Sequence, residues 1–197
     1  YILSDVAKFT NAIIRMLNIS ESRIGKSREL AMSLSAFASM LMAAPKFSTA
    51  LRYHNRAVRM KEKLGDQWGL GQSYQWLGYC HSWMGNYSKS NEMFVKSLGT
   101  YRGIGDLWET GMIIGGLFTN YYQMSNYEKA NDYAREYKII SSKLSDYYGL
   151  SRSYQSIAWC MIEKGDFDGA EDYINESIQI CAEKKIYFNL CVSNIEM

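Results

Sequence analysis

The sequence holds few residues that interrupt helices and few that carry out chemistry. Of its 197 residues one is proline, Pro45. Proline inside a helix removes a backbone donor and kinks the chain, so no other stretch carries an obligatory break. Histidine occurs twice, as His54 and His81. Cys80, Cys160, Cys181 and Cys191 show no metal-ligand spacing and no C-x-x-C pair, which leaves out a zinc module and a dithiol redox site. There is no phosphate-binding glycine loop and no nucleophile motif. No apolar run reaches the ~20 residues of a membrane helix, and no secretory leader opens the chain. Four unpaired thiols suit a reducing compartment. The expectation is a cytoplasmic, non-catalytic protein without cofactor or metal.

What the chain does have is repetition. Gly65-Asp66-Gln67-Trp68 returns as Gly105-Asp106-Leu107-Trp108 and again as Ser145-Asp146-Tyr147-Tyr148, then fades into Lys185-Ile186-Tyr187-Phe188. The step is 40 residues without insertion. A second marker keeps that step half a period away: Pro45-Lys46-Phe47, Gly85-Asn86-Tyr87, Ser125-Asn126-Tyr127 and Gly165-Asp166-Phe167. Self-similarity at a fixed period of 20–50 residues is the signature of stacked repeat architectures.

Each half-period leaves 18 residues between markers, about five turns of helix. Tyr74, Leu77, Gly78 and His81 fall at i, i+3, i+4 and i+7, and Ser90, Phe94, Ser97 and Tyr101 at i, i+4, i+7 and i+11. That spacing belongs to a helix and not to a strand. Asp66, Asp106 and Asp146 stand at N-cap positions, and Asn86, Asn126 and Asp166 do so for the second helix. Gly85 and Gly165 sit where a helix ends in a left-handed residue. Helices are expected over 4–20, with Phe9, Ile13, Ile14 and Leu17 as the apolar side. Pairs follow at 27–43 with 47–63, 67–84 with 87–103, 107–124 with 127–143, and 147–164 with 167–183.

Small and large residues alternate in fixed columns. The first helix reads Leu34, Tyr74, Ile114, Tyr154; Phe37, Leu77, Leu117, Ile157; Ala38, Gly78, Phe118, Ala158; and Leu41, His81, Tyr121, Met161. The second reads Ala50, Ser90, Ala130, Ala170; His54, Phe94, Ala134, Ile174; and Ala57, Ser97, Tyr137, Ser177. Two helices approach within 8–10 Å only when small residues face large ones. As a set these columns resemble the tetratricopeptide repeat in a 40-residue form. The resemblance implies an all-α, right-handed superhelix of antiparallel helix hairpins, an α-solenoid. Phe118 and Tyr137 depart from the small-residue rule while Ala134 gives up the large one, so the third repeat is expected to pack differently. In this frame the chain is one solenoid over 1–197. Residues 1–26 form the second helix of a truncated repeat, 27–66, 67–106, 107–146 and 147–186 form four repeats, and 187–197 starts another. The expectation is a piece of a longer array, with exposed repeat ends open to self-association.

The resemblance also implies where a partner binds. In the family the first helices line the concave face. Carried over, the groove positions include Met32, Ser35 and Ser39 in repeat one, Gln72, Gln75, Tyr79 and Trp83 in repeat two, Tyr122 in repeat three, and Arg152, Gln155 and Trp159 in repeat four. Aromatic anchors beside adaptable amides suit a peptide or protein partner. Members with a carboxylate clamp place Lys, Arg and Asn on this face, where the present chain has one Arg, Arg152, and no Lys. The phrase Lys63-Leu64-Gly65-Asp66-Gln67-Trp68-Gly69 and its following Leu-Gly helix are similar to repeat regions of large bacterial signalling proteins. There such arrays regulate neighbouring ATPase, kinase, cyclase or DNA-binding domains. The implied function is a protein-interaction or regulatory scaffold whose partner can be another domain of the same chain. A ligand-sensing domain for a small molecule or short peptide, and an oligomerisation module, are the alternatives.

Charge adds one further feature. The net charge is +2, but residues 1–64 hold 11 Lys/Arg against 4 Asp/Glu while the remainder holds 11 against 16. Arg52, Arg56, Arg59 and Lys63 follow one face of a second helix and form a convex basic surface, read as a solvated face. No recognition helix or aromatic-basic interleaving accompanies it, so nucleic acid is not expected. Glu163, Asp166, Asp168, Glu171 and Asp172 span a turn and a helix start, where carboxylates favour the helix dipole. They are read as a solvated cap.

Overall fold

The computed structural model describes residues 2–24 and 27–186. Residues 187–197, with Cys191 and the expected start of a further repeat, lie outside the described residues. Among those described there are nine α-helices, one short π-helical turn and no strand. The helices are α1 (Ile2–Ile19), α2 (Arg28–Ala43), α3 (Phe47–Leu64), α4 (Gln67–Trp83), α5 (Tyr87–Ile104), α6 (Leu107–Gln123), α7 (Tyr127–Leu144), α8 (Tyr147–Ile162) and α9 (Phe167–Lys184). The chain divides between Ile104 and Gly105 into two compact units.

The helix ends follow from the residues at the markers. Each first helix of the later repeats opens on an aspartate whose Oδ1 accepts a first-turn amide. Asp66 accepts from Gly69 at 3.1 Å, Asp106 from Glu109 at 3.0 Å and Asp146 from Gly149 at 3.0 Å. Asn126 and Asp166 cap α7 and α9 in the same way. Such a cap satisfies one of the four unpaired donors at a helix start. Helices α3 and α5 end on Gly65 and Gly105, at φ of +65° and +73°. In the same place α7 has Ser145 at +53°, a conformation that costs an L-residue about 1–2 kcal/mol and glycine almost nothing.

In the first unit the hairpins α2/α3 and α4/α5 pack antiparallel, and the first helices α2 and α4 also touch. Gly78 lets α5 close on α4. A Cβ built there would meet the Phe94 ring at 2.5 Å, well inside van der Waals contact. The hydroxyls of α5 are satisfied across the same seam: Ser90 Oγ donates to the Gly78 carbonyl at 2.7 Å and Ser97 Oγ to that of Gly71 at 2.8 Å. Ile13 and Leu17 of α1 are buried, Leu17 beside Leu30, Leu34 and Ala57. Phe9 and Ile14, expected on that apolar side, are exposed instead, Phe9 by 65%. The reason is that among the described residues α1 packs only on α2 and the π-helical turn, which covers a strip narrower than its apolar face.

In the second unit α6/α7 and α8/α9 repeat the hairpin, with α6 touching α8. Here the size order is reversed. Phe118 is buried with Ala130, Ala134, Ile157 and Cys160. The large ring now comes from the first helix, and the space facing it comes from Ala134. The third repeat thus packs differently, through a swap that conserves volume.

Candidate functional site

The first-helix positions divide into exposed and packed residues. Trp83, at the end of α4, is 57% exposed. Tyr79 is half-buried, its ring edge-on to Phe94 at 5.1 Å and to Trp76 at 5.8 Å. Gln75 is buried, and its side-chain carbonyl accepts from the Tyr101 hydroxyl at 3.4 Å. In the second unit Gln155 is likewise buried and Arg152 half-buried. Tyr122 and Trp159 are half-buried neighbours, 6.0 Å apart and both against Phe118. The Tyr122 hydroxyl donates to Glu163 Oε1 at 2.8 Å. Burial, then this bond, pushes the phenol well above its ordinary range. The aromatic positions are thus partly walls and partly packing, with Trp83 the most open of them.

Arg52, Arg56, Arg59 and Lys63 are all exposed on α3. Arg56 pairs with Glu21 of the π-helical turn, and Arg52 lies 5.9 Å from the Tyr53 ring centroid. Exposed pairs of this kind contribute at most about 1 kcal/mol. Among the described residues no group of three His, Cys, Asp or Glu side chains is placed to hold a metal.

The opposite face of α3 carries two titratable residues where its sister helix carries aromatics. His54 is wholly buried, stacked over Trp76 at 6.5 Å, with neither ring nitrogen hydrogen-bonded. Burial, with the Lys61 charge adding, pushes its pKa down to about 3. Lys61 is also wholly buried. Its Nζ donates to Ser73 Oγ at 2.9 Å and Ser35 Oγ at 3.1 Å. Desolvation lowers its pKa to about 8, against the opposing pull of Asp66.

Lys61 borders a partly open cavity of about 620 Å³ within the first unit. Met32, Ser35 and Ser39 of α2 and Trp68, Gln72 and Trp76 of α4 form much of its wall. Four of these, Met32, Ser35, Ser39 and Gln72, are groove positions by the family resemblance. Arg28 and Asp66 also border it and pair with each other at 3.3 Å. Sequence reasoning missed Lys61. A signal was present: Lys61 follows Ala50, His54 and Ala57 on the inner face of α3, not Arg52, Arg56 and Arg59 on the outer one.

No family model matches the sequence, and no curated protein does. Solved structures match well. The tetratricopeptide repeat sensor protein of the signal-transduction ATPase class from Pyrococcus horikoshii superposes with a TM-score of 0.83 at 19% identity, over 91% of this chain and 28% of that one. The putative kinesin light chain TPR-like repeats of Podosopora anserina give 0.75 at 13%, over 92% and 89%. A Rap protein complexed with Competence and Sporulation Factor gives 0.71 at 14%, over 95% and 56%. At these identities the likeness speaks for fold. The chain has the tetratricopeptide-repeat fold, an all-α solenoid of antiparallel helix hairpins.

Proposed function

We propose that the chain is a non-catalytic protein-interaction scaffold that binds a peptide or protein partner on the faces of its first helices. The observation that carries this reading is Trp83, a large ring 57% exposed at a groove position of α4. Isolated exposed apolar residues are common on protein surfaces, but tryptophan on a concave helix face is the residue type that most often anchors an interface. Tyr79 in the first unit, and Tyr122, Arg152 and Trp159 in the second, are the further proposed partner contacts, each half-buried; Gln75 and Gln155 are buried and support those faces from within. The Rap relative, solved as a complex with a factor, supports a binding role for such a fold. The P. horikoshii relative, of which this chain spans 28%, supports a place inside a larger signalling protein.

The test is capture of a partner by the chain, then titration against variants with circular dichroism alongside. Trp83→Ala should stay folded and weaken binding roughly thirtyfold, the equivalent of about 2 kcal/mol. Arg52→Glu with Arg56→Glu should leave binding within a few fold. Normal binding by Trp83→Ala with loss in the arginine variant would move the working surface to the outer face of α3.

A further inference from the structure

We propose that the cavity between α2 and α4 is a binding site for a free organic acid, with its carboxylate on the Lys61 ammonium and its apolar body against Trp68, Trp76 and Met32. The cavity is walled by two of the first helices that carry the proposed partner face, but the inference rests on Lys61, Trp68, Trp76 and Met32 and not on Trp83.

Four observations carry it. The first is an incomplete charge balance. Among the described residues no carboxylate forms an ion pair with Lys61, although the side chain is wholly buried. The nearest compensating charge, Asp66, is committed to Arg28 and to the α4 cap. Arg28, Lys61 and Asp66 together leave one excess positive charge at the cavity, and a monoanion neutralises it. Buried charges are ordinarily paired.

The second is that two hydroxyls accept from an ammonium that has three donors. The third donor has no acceptor among the described residues, and because Lys61 is wholly buried a ligand oxygen reaches it only when the side chains over it, Ser35 and Ser73 among them, shift aside. The third is that the fold does not ask for a lysine there. One, two and three periods on, the same buried position holds Tyr101, Ser141 and Cys181. Repeat one alone places a cation there, and it does so where the cavity opens. The fourth is shape and lining. A volume near 620 Å³ lies within the usual range of small-molecule sites, which are mostly apolar with a few convergent polar groups. Two indoles and two methionines, Met16 and Met32, supply the apolar surface, and Gln72 and Ser39 supply polar groups.

The experiment titrates the whole chain with indole-3-acetate, phenylacetate and hexanoate, following tryptophan fluorescence and heat. At least one acid should bind and raise the melting temperature, while phenylacetamide, which lacks the charge, should not. Lys61→Met keeps the length of the side chain and should weaken binding tenfold or more without lowering the melting temperature. Affinity should fall as pH rises past about 8, where Lys61 gives up its proton; the charged groups facing it are Arg28 on α2 and Asp66 ahead of α4, and His54 shares its helix. No binding of any of the three acids at millimolar concentration overturns the proposal. So does equal binding by the amide or by Lys61→Met. Inorganic phosphate competing as well as the acids would refute the apolar half of the site. A short peptide that binds tighter through its free C-terminal carboxylate than in amidated form, and tighter than every free acid, would refute the free-acid assignment.

Discussion

The hairpins α2/α3 and α4/α5 belong to one unit and share one backbone plan, yet their interiors differ in kind. Along α5 the buried face reads Ser90, Phe94, Ser97 and Tyr101; along α3 it reads Ala50, His54, Ala57 and Lys61. Phe94 fills its place with an apolar ring, where His54 brings two unsatisfied nitrogens. Tyr101 reaches Gln75 with its hydroxyl, where Lys61 reaches Ser35, the residue one period before Gln75, with a charge. The same scaffold therefore accepts either an apolar or an ionisable interior. A polar interior of this kind weakens the hairpin that holds it, so stability should respond to pH more strongly at α2/α3 than at α4/α5, where burial pushes His81 down in the same direction.

The largest effect expected concerns His54. Its pKa is about 3 when folded against 6.5 when free, so the unfolded chain takes up a proton in that window and the folded chain does not. Stability is unaffected above pH 6.5 and falls as pH drops toward 3, by up to about 1.4 kcal/mol per pH unit. Urea unfolding of His54→Leu between pH 7 and 4.5 should lack this component. Parallel pH curves for parent and variant would erase the contrast between the hairpins.

Next comes Gly78→Leu on the apolar side of the comparison. Its Cβ would already meet Phe94 at 2.5 Å, so overpacking should cost about 3 kcal/mol, read as a lower denaturation midpoint. Pairing it with Phe94→Leu should recover part of the loss. Lys61→Met works in the opposite direction. Removing a buried charge should stabilise the chain by roughly 2–3 kcal/mol below pH 8. The gain should fade between pH 8 and 10.5, because there the folded lysine is already neutral while the unfolded one still binds its proton. A flat difference across that range would show that Lys61 is solvated after all. The smallest effect is at Ser145, left-handed where the first unit has Gly65. Ser145→Gly should raise stability by about 1 kcal/mol, seen as a small rise in midpoint.

Much of the fold was legible in the sequence because its signals are local and periodic. The capping aspartates and the turn residues mark helix ends, and the observed helices begin at the marked positions to within a residue or two. The swap of Phe118 for Ala134 could be read from two columns, since it only requires that a large residue face a small one. What could not be read is which of two neighbours a ring prefers. Trp83 and Trp159 are both groove positions but stand in different columns, Trp159 two periods after Tyr79 and Trp83 two periods before Glu163; Trp159 lies against Phe118 and Tyr122, whereas Trp83 is exposed. Lys61 was missed for a related reason. Lysine is almost never fully buried, so a helix rich in exposed arginines hid a lysine that turns inward.

The buried cysteines have a practical consequence. Cys80 lies in the first unit, and Cys160 and Cys181 in the second, all three as free thiols shut away from solvent. Burial lifts Cys80 and Cys160 to a pKa of about 11, and alkylating reagents attack the thiolate. In the closed state Cys80 and Cys160 are therefore nearly inert twice over, by access and by protonation, and Cys181 is shielded by access. The rate at which each acquires a label counts how often its own surroundings come apart, and mass spectrometry resolves the sites. The chain thus carries a separate clock for the breathing of each unit, and no residue has to be introduced to read either one.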